Sequence, residues 1–225
     1  MIQLNNISKI YNIGKSNEFY ALKNISLTIN DGDFICITGK SGAGKSTLLH
    51  ILGCIDSATS GSYLLDGKEI LKTSDIKLSE YRNSYFGFVM QDYALINDLS
   101  AYDNILLPAI IKKGHLMNIQ NKIEKISSEI GITHILNKCV NTLSGGEKQR
   151  VAIARAIINN PNIIIADEPT GNLDSLNAQN VFSILENINQ KHNVTIVVVT
   201  HDNNFAKHFK KQVLLNDGRI ESVNI

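Results

Sequence analysis

Gly39-Lys40-Ser41-Gly42-Ala43-Gly44-Lys45-Ser46 fits the spacing G-x-x-x-x-G-K-[ST], a set of residue types suited to cradling a polyphosphate. The glycines let the backbone take positive φ, which other residues adopt only with strain. The N–H groups of residues 42 to 46 can then point inward as an anion nest. Lys45 suits the β- and γ-phosphates, and the Ser46 hydroxyl suits Mg²⁺. Pro161-Asn162-Ile163-Ile164-Ile165-Ala166-Asp167-Glu168 is a second chemical segment, an apolar run ending in two carboxylates. Asp167 can hold Mg²⁺ directly or through water, and Glu168, one residue further out, can polarise an attacking water. His201-Asp202 follows a third apolar run, and His201 can hydrogen-bond a γ-phosphate and sense its loss.

These groups need elements that bring them to one place. Phe34-Ile35-Cys36-Ile37-Thr38 reads as a buried strand leading into the loop. Ser46-Thr47-Leu48-Leu49-His50-Ile51-Leu52 opens a helix whose positive end, with Thr47 in its first turn, adds to the field on the phosphates. The 161–168 run and Val194-Thr195-Ile196-Val197-Val198-Val199-Thr200 read as further strands of one parallel sheet. Ligands of such sheets sit beyond the carboxyl ends of the strands, where all three segments end.

The rest of the chain reads more coarsely. Residues 1 to about 30 alternate as a small β region, with a turn at Asn30-Asp31-Gly32-Asp33. Ser62-Tyr63-Leu64-Leu65 and Asp66-Gly67 read as a strand and a tight turn. Residues 92 to 158 are predicted mostly helical, with Ile119, Ile123, Ile126 and Ile130 on one face and Val151, Ala154 and Ile158 on another helix. Ala178, Val181, Phe182, Leu185 and Ile188 mark a helix that packs on the main sheet.

Composition narrows the field. The 225 residues suffice for one substantial core with a subdomain, and no apolar run nears the roughly 20 residues of a spanning helix. The first six residues predict no signal peptide. Lys plus Arg is 22 against 21 acidic residues, which leaves no basic footprint for nucleic acid. Cys36, Cys54 and Cys139 lack CxxC spacing and read as reduced thiols.

Leu143-Ser144-Gly145-Gly146-Glu147 adds a capped helix start: Ser144-x-x-Glu147 fits a capping box. With it, the chain resembles the nucleotide-binding subunit of an ABC transporter along essentially its whole length. The motifs fall in that family's order: the phosphate loop, Gln91 in Gly87-Phe88-Val89-Met90-Gln91, the signature at 143 to 147, Asp167-Glu168, a D-loop at Asn172-Leu173-Asp174, and His201 as switch histidine. The resemblance implies an α/β fold: a P-loop NTPase core with a mostly parallel sheet, an N-terminal antiparallel β region and an inserted helical subdomain. It implies a single ATPase domain over 1–225, with the core in 1–90 and 159–225 and the helical subdomain in 91–158.

The roles implied are specific. Gly39, Ser41, Gly42, Ala43, Gly44, Lys45, Ser46 and Thr47 bind nucleotide; Ser46, Gln91 and Asp167 serve the metal; Glu168, His201 and Gln91 are catalytic. Tyr11 stacks on adenine, although Tyr20 is an alternative and either could be core. Ser144, Gly145, Gly146 and Asp174 bind across a homodimer in which each copy's signature meets the ATP held by the other's Lys45. Glu147 stands where the family most often has Gln, which adds negative charge near the phosphate. Cys139-Val140 stand where family members often show proline.

Leu52-Gly53-Cys54-Ile55-Asp56, residues 87 to 91 and Ala166-Asp167-Glu168-Pro169-Thr170-Gly171-Asn172-Leu173-Asp174-Ser175 resemble the branch for lipoprotein release, macrolide export and antimicrobial-peptide resistance. The expectation is an ATP hydrolase at the cytoplasmic face of the cell membrane, peripheral, driving membrane-spanning permease subunits, with ATP and Mg²⁺ as cofactors. The residues after Gln91 (Tyr93, Leu95, Ile96, Leu99, Tyr102, Leu106 and Leu107) are where a coupling helix would dock, or else fill the helical core. The rival reading is a cell-division or envelope-regulating ATPase that signals through a membrane partner without moving substrate. A structural-maintenance ATPase would need a long coiled-coil insertion, an ABC translation factor a second cassette, and a GTPase an Asn-Lys-x-Asp segment; the chain has none of these.

Overall fold

The computed structural model describes residues 1–112 and 118–224. Two sheets organise the chain. The first is antiparallel and four-stranded, in the order β2 (Phe19–Ile29), β1 (Ile2–Tyr11), β4 (Ser60–Leu65), β5 (Lys68–Glu69). The turn into β5 has Asp66 at φ 49° and Gly67 at φ 75°, the paired left-handed conformation of a tight hairpin turn.

The second sheet has six strands in the order β10 (Arg219–Asn224), β9 (Lys211–Asn216), β3 (Phe34–Thr38), β8 (Thr195–Thr200), β7 (Ile163–Asp167), β6 (Phe86–Val89). All its pairings are parallel except β9 with β10. β3, β7 and β8 are buried along almost their whole length, which is why they read as continuous apolar runs and not as alternation. Their register puts Thr38 beside Thr200 and Asp167 beside Val199, so the chemical segments leave the sheet at one edge. The α/β architecture with a mostly parallel sheet and an antiparallel β region is therefore as expected.

One core lies between the two sheets, where Leu48, Leu49, Ile51 and Leu52 of α1 (Lys45–Leu52) meet Ile2, Leu4, Ile35 and Val197. The other lies on the opposite face, against α6 (Ser175–His192) and the helices of the middle of the chain. Those helices are α3 (Ala101–Ile111), α4 (Ile119–Ile130) and α5 (Gly145–Ile157). Ile123, Ile126 and Ile130 are buried on α4, with Ile119 partly so, and Val151, Ala154 and Ile158 are buried at α5. The part of the predicted helical stretch at 113–117 lies outside the described residues. Of the apolar residues after Gln91, Leu95, Tyr102 and Leu106 pack on this core, while Ile96 is exposed.

Two features depart from the sequence reading. Helix α2 (Asp75–Ser84) fully buries none of its residues, with only Leu78 and Tyr81 packing partly on the core, so no apolar stripe announces it. The β9–β10 hairpin was also unread, although Asp217-Gly218, at φ 44° and 73°, is a turn signal between apolar runs. Among the described residues no helix is long and apolar enough to cross a membrane.

Candidate functional site

The phosphate loop is wedged against neighbouring backbone. Gly44 caps α1 at φ 101°, and a Cβ there would stand 2.5 Å from the Ala21 carbonyl oxygen. A Cβ on Gly39 would stand 2.2 Å from the Leu215 carbonyl oxygen. The hairpin that the sequence reading missed thus walls the loop, and Gly218 N–H donates to the Ala43 carbonyl (3.0 Å). One detail differs from the expected nest. The Ala43 N–H is engaged inside the loop, donating to the Lys40 carbonyl (3.1 Å). Lys45 is buried, and its Nζ donates to the carbonyls of Gly39 (2.8 Å) and Lys40 (3.0 Å), which hold the charge over the loop. Ser41 and Gly42 are exposed, Thr47 is half-buried in the first turn of α1, and a Cβ on Gly42 would meet open space.

The two carboxylates after β7 have different surroundings. Burial and the neighbouring Glu168 charge push the Asp167 carboxyl up, opposed by His50, Lys45 and a hydrogen bond with Ser46. Asp167 therefore sits with the Ser46 hydroxyl, and His50, one turn along α1, belongs to the same cluster. Glu168 takes φ 45°, a strained conformation for its type, pinned by its N–H on the Val199 carbonyl (2.9 Å). Its buried carboxylate accepts from Thr200 Oγ1 (2.9 Å) and His201 N–H (2.8 Å), and pairs with His201 Nδ1 (2.6 Å). With the carboxylate ionised, Nδ1 carries the proton and Nε2 points elsewhere. Glu168, Thr200 and His201 line a cavity of about 480 Å³ with Thr170, Gly171 and Leu173.

The signature lies at the head of α5. Both halves of the capping box form: Ser144 Oγ accepts from Glu147 N–H (3.4 Å), and Ser144 N–H donates to Glu147 Oε2 (2.8 Å). Where Cys139-Val140 replace the family's proline the segment is held in place, since Val140 is buried and its N–H donates to the Leu99 carbonyl (3.0 Å). A Cβ on Gly146 would stand 2.4 Å from Asn177 Oδ1, and one on Gly145 would stand 3.0 Å from the Tyr93 hydroxyl. Asn177 in turn is tied to Asp174, whose carboxylate accepts from its N–H (2.9 Å) and its Nδ2 (2.7 Å) and so caps α6. Gln91 is exposed beside Gly171, and its carbonyl accepts from Asn172 Nδ2 (2.9 Å). The segments at 91–93, 144–147 and 171–177 thus meet in one chain.

A family model described as ABC transporter matches residues 22–171. The chain belongs to the ABC transporter ATP-binding family. The lipoprotein-releasing system ATP-binding protein LolD of Leptospira interrogans is 44% identical over 202 residues, 90% of this chain and 85% of that protein. The dimeric post-hydrolysis structure of the ATP-binding cassette MJ0796 with ADP and Pi superposes with a TM-score of 0.91 at 39% identity, covering 100% of this chain and 98% of that one. CbiO1 of Clostridium perfringens, part of the transporter complex cbiONQ, gives 0.89 at 29% identity, covering 99% and 87%. As an ABC cassette the chain binds and hydrolyses ATP to drive membrane-embedded partner subunits.

The two candidates for the adenine-stacking aromatic, Tyr11 and Tyr20, have different surroundings. Tyr20 is 48% exposed, whereas Tyr11 is half-buried and clamped. Tyr11 donates its hydroxyl to Asp56 Oδ2 (3.0 Å), and Lys9 Nζ lies 4.8 Å from its ring centroid while pairing with Asp56 (2.7 Å). Sequence reasoning missed Lys9, Asp56, His50, Thr200, Asn172 and Asn177. Asn172, Asp56, His50 and Thr200 fall inside segments quoted from the sequence, but without a role of their own; the others carry no local motif, and each of the six is recognisable by the group it holds.

Asp167 supports a test that separates stability from chemistry. A raised carboxyl pKa means the folded state disfavours the charge, so this group costs stability as pH rises above its unfolded pKa. Asp167→Asn is expected to raise the melting temperature of the nucleotide-free cassette at pH 7 and to abolish steady-state hydrolysis. Calorimetry beside a phosphate-release assay checks both; a lower melting temperature would contradict the electrostatic account.

Proposed function

We propose that two copies of this cassette close on two ATP molecules and power a membrane partner that works mechanically in lipoprotein release, from the cytoplasmic face of the membrane. The observation that carries this reading is the 44% identity to LolD over 90% of the chain.

The site residues take the following parts. The loop's N–H groups and Lys45 hold the β- and γ-phosphates, and Tyr11 takes adenine on the ring face away from Lys9. The Ser46 hydroxyl and the Asp167 carboxylate form a pair of hard oxygen donors, which suits Mg²⁺. Bound there, Mg²⁺ would neutralise charge on the phosphates. Glu168 orients and deprotonates water for in-line attack, while His201, held by Glu168 at Nδ1, turns Nε2 toward the γ-phosphate. Ser144 and Gly146 of the other copy complete the phosphate shell at the start of their helix. Gln91 and Asn172 link the metal side to the helical subdomain, so closure is felt by the partner. A cleft of about 530 Å³, lined by Ile55, Phe88, Ile96, Leu107 and Ile111, suits an amphipathic coupling helix.

The test is a pull-down from detergent-solubilised membranes of the native host, with Glu168→Gln and ATP holding the closed dimer. The expected capture is a membrane protein with few spans and a large external domain that releases lipoprotein. Capture of a many-spanning channel-like permease would discard the mechanical reading, and capture of a cell-division complex would favour signalling without transport.

A further inference from the structure

The capping box carries a consequence for closure. Ser144 Oγ lies 2.8 Å from Glu147 Oε2, besides accepting the Glu147 N–H. An ionised carboxylate only accepts hydrogen bonds, so the proton in that contact is the one the serine hydroxyl owns. The oxygens of a γ-phosphate are also acceptors. Ser144 therefore cannot serve both Glu147 and a phosphate with its single O–H.

The surroundings keep Glu147 ionised. Its bonds with Ser144, first of all, and then the charges of Lys138 and Arg150 hold its carboxyl below the usual range. His134 Nε2 stands 4.0 Å from the other carboxylate oxygen. Both the Ser144 N–H and the Ser144 hydroxyl reach the same carboxylate oxygen, Oε2. A glutamine here would keep the cap with its neutral carboxamide oxygen in that place, a weaker acceptor than a carboxylate, so the hydroxyl proton would be released to the phosphate more readily.

We infer that Glu147 is a positioning residue that restrains ATP-driven closure, because it holds the Ser144 proton that the partner copy's γ-phosphate would otherwise receive. The carboxylate also brings a negative charge toward a polyanion, which acts in the same direction. Closure must rotate the hydroxyl out of a charge-assisted bond, so the sandwich is weaker than that of the same cassette with glutamine at 147. This rests on the reading above that Ser144 meets the γ-phosphate bound by the other copy.

The test uses the full chain in the Glu168→Gln background, comparing no further change, Glu147→Gln, and Ser144→Ala. Sedimentation velocity gives the ATP concentration at half-dimerisation. Fluorescent-nucleotide titration at low protein concentration gives the affinity of the monomer, which lacks the partner's Ser144. Glu147→Gln is expected to lower the half-dimerisation concentration about tenfold, a change of ~1.4 kcal/mol. Monomer affinity and melting temperature should be unchanged, which a purely structural cap would not produce. An equal or higher half-dimerisation concentration overturns the inference about Glu147. If instead Ser144→Ala dimerises as well as its parent, the placement of Ser144 on the phosphate fails, and the inference falls with it.

Discussion

Replacing Glu168 by Gln is expected to lower ATP turnover by about a hundredfold or more, the range for loss of a general base, while leaving ATP binding intact. The substitution preserves shape. One oxygen remains to accept from the His201 N–H and ring, and the new amide faces Thr200 Oγ1, which can rotate to accept from it. The left-handed backbone at this position is held by the Val199 carbonyl, which the substitution does not touch. What disappears, on the proposed reading, is the negative charge that takes a proton from water. The closed dimer should therefore accumulate with ATP. Phosphate release measured beside size-exclusion chromatography in ATP checks both halves. Turnover within about threefold of wild type would remove Glu168 from this role.

Lys45→Ala is expected to weaken ATP binding by roughly one to two orders of magnitude, the scale of losing a hydrogen bond to a charged group. Lys45 is buried and fixed by the Gly39 and Lys40 carbonyls, so its ammonium is positioned before any phosphate arrives. The alanine leaves those carbonyls without their donor, so part of any loss could come from a rearranged loop. Lys45→Met keeps most of the stem and separates the two causes. Both variants should bind ATP poorly if the charge matters, whereas recovery with Met would assign the effect to packing. Equilibrium titration with ATP, with melting temperatures alongside, makes the measurement. Unchanged affinity in both would remove Lys45 from phosphate binding.

The local chemistry was legible along the chain because each motif encodes its own geometry. Phosphate-loop glycines specify left-handed turns; Ser144 and Glu147 specify a cap that closes on itself within one helical turn. The runs at 34–38, 163–167 and 195–200 announced a buried sheet, and the isoleucine spacing at 119–130 announced α4. Helix α2 was not legible, since it fully buries no residue and only Leu78 and Tyr81 on it pack partly against the core, too few to display a period. The β9–β10 hairpin was legible in Asp217-Gly218 but went unread.

Sequence by itself pointed to the kind of site: glycines suited to a polyphosphate nest, paired acids at a strand end, and a capped signature helix. Only the tertiary structure decided which groups restrain which. Glu168 and His201 are 33 residues apart, Gln91 and Asn172 are 81 apart, and Tyr11 and Asp56 are 45 apart. Their meetings depend on strand order, β3 beside β8 beside β7, and on the register that aligns Thr38, Thr200 and Asp167. Spacing along a chain sets turns and caps because those close within a few residues. Contacts between strand ends are set by burial of whole sheet faces, a sum over many side chains that no short segment contains.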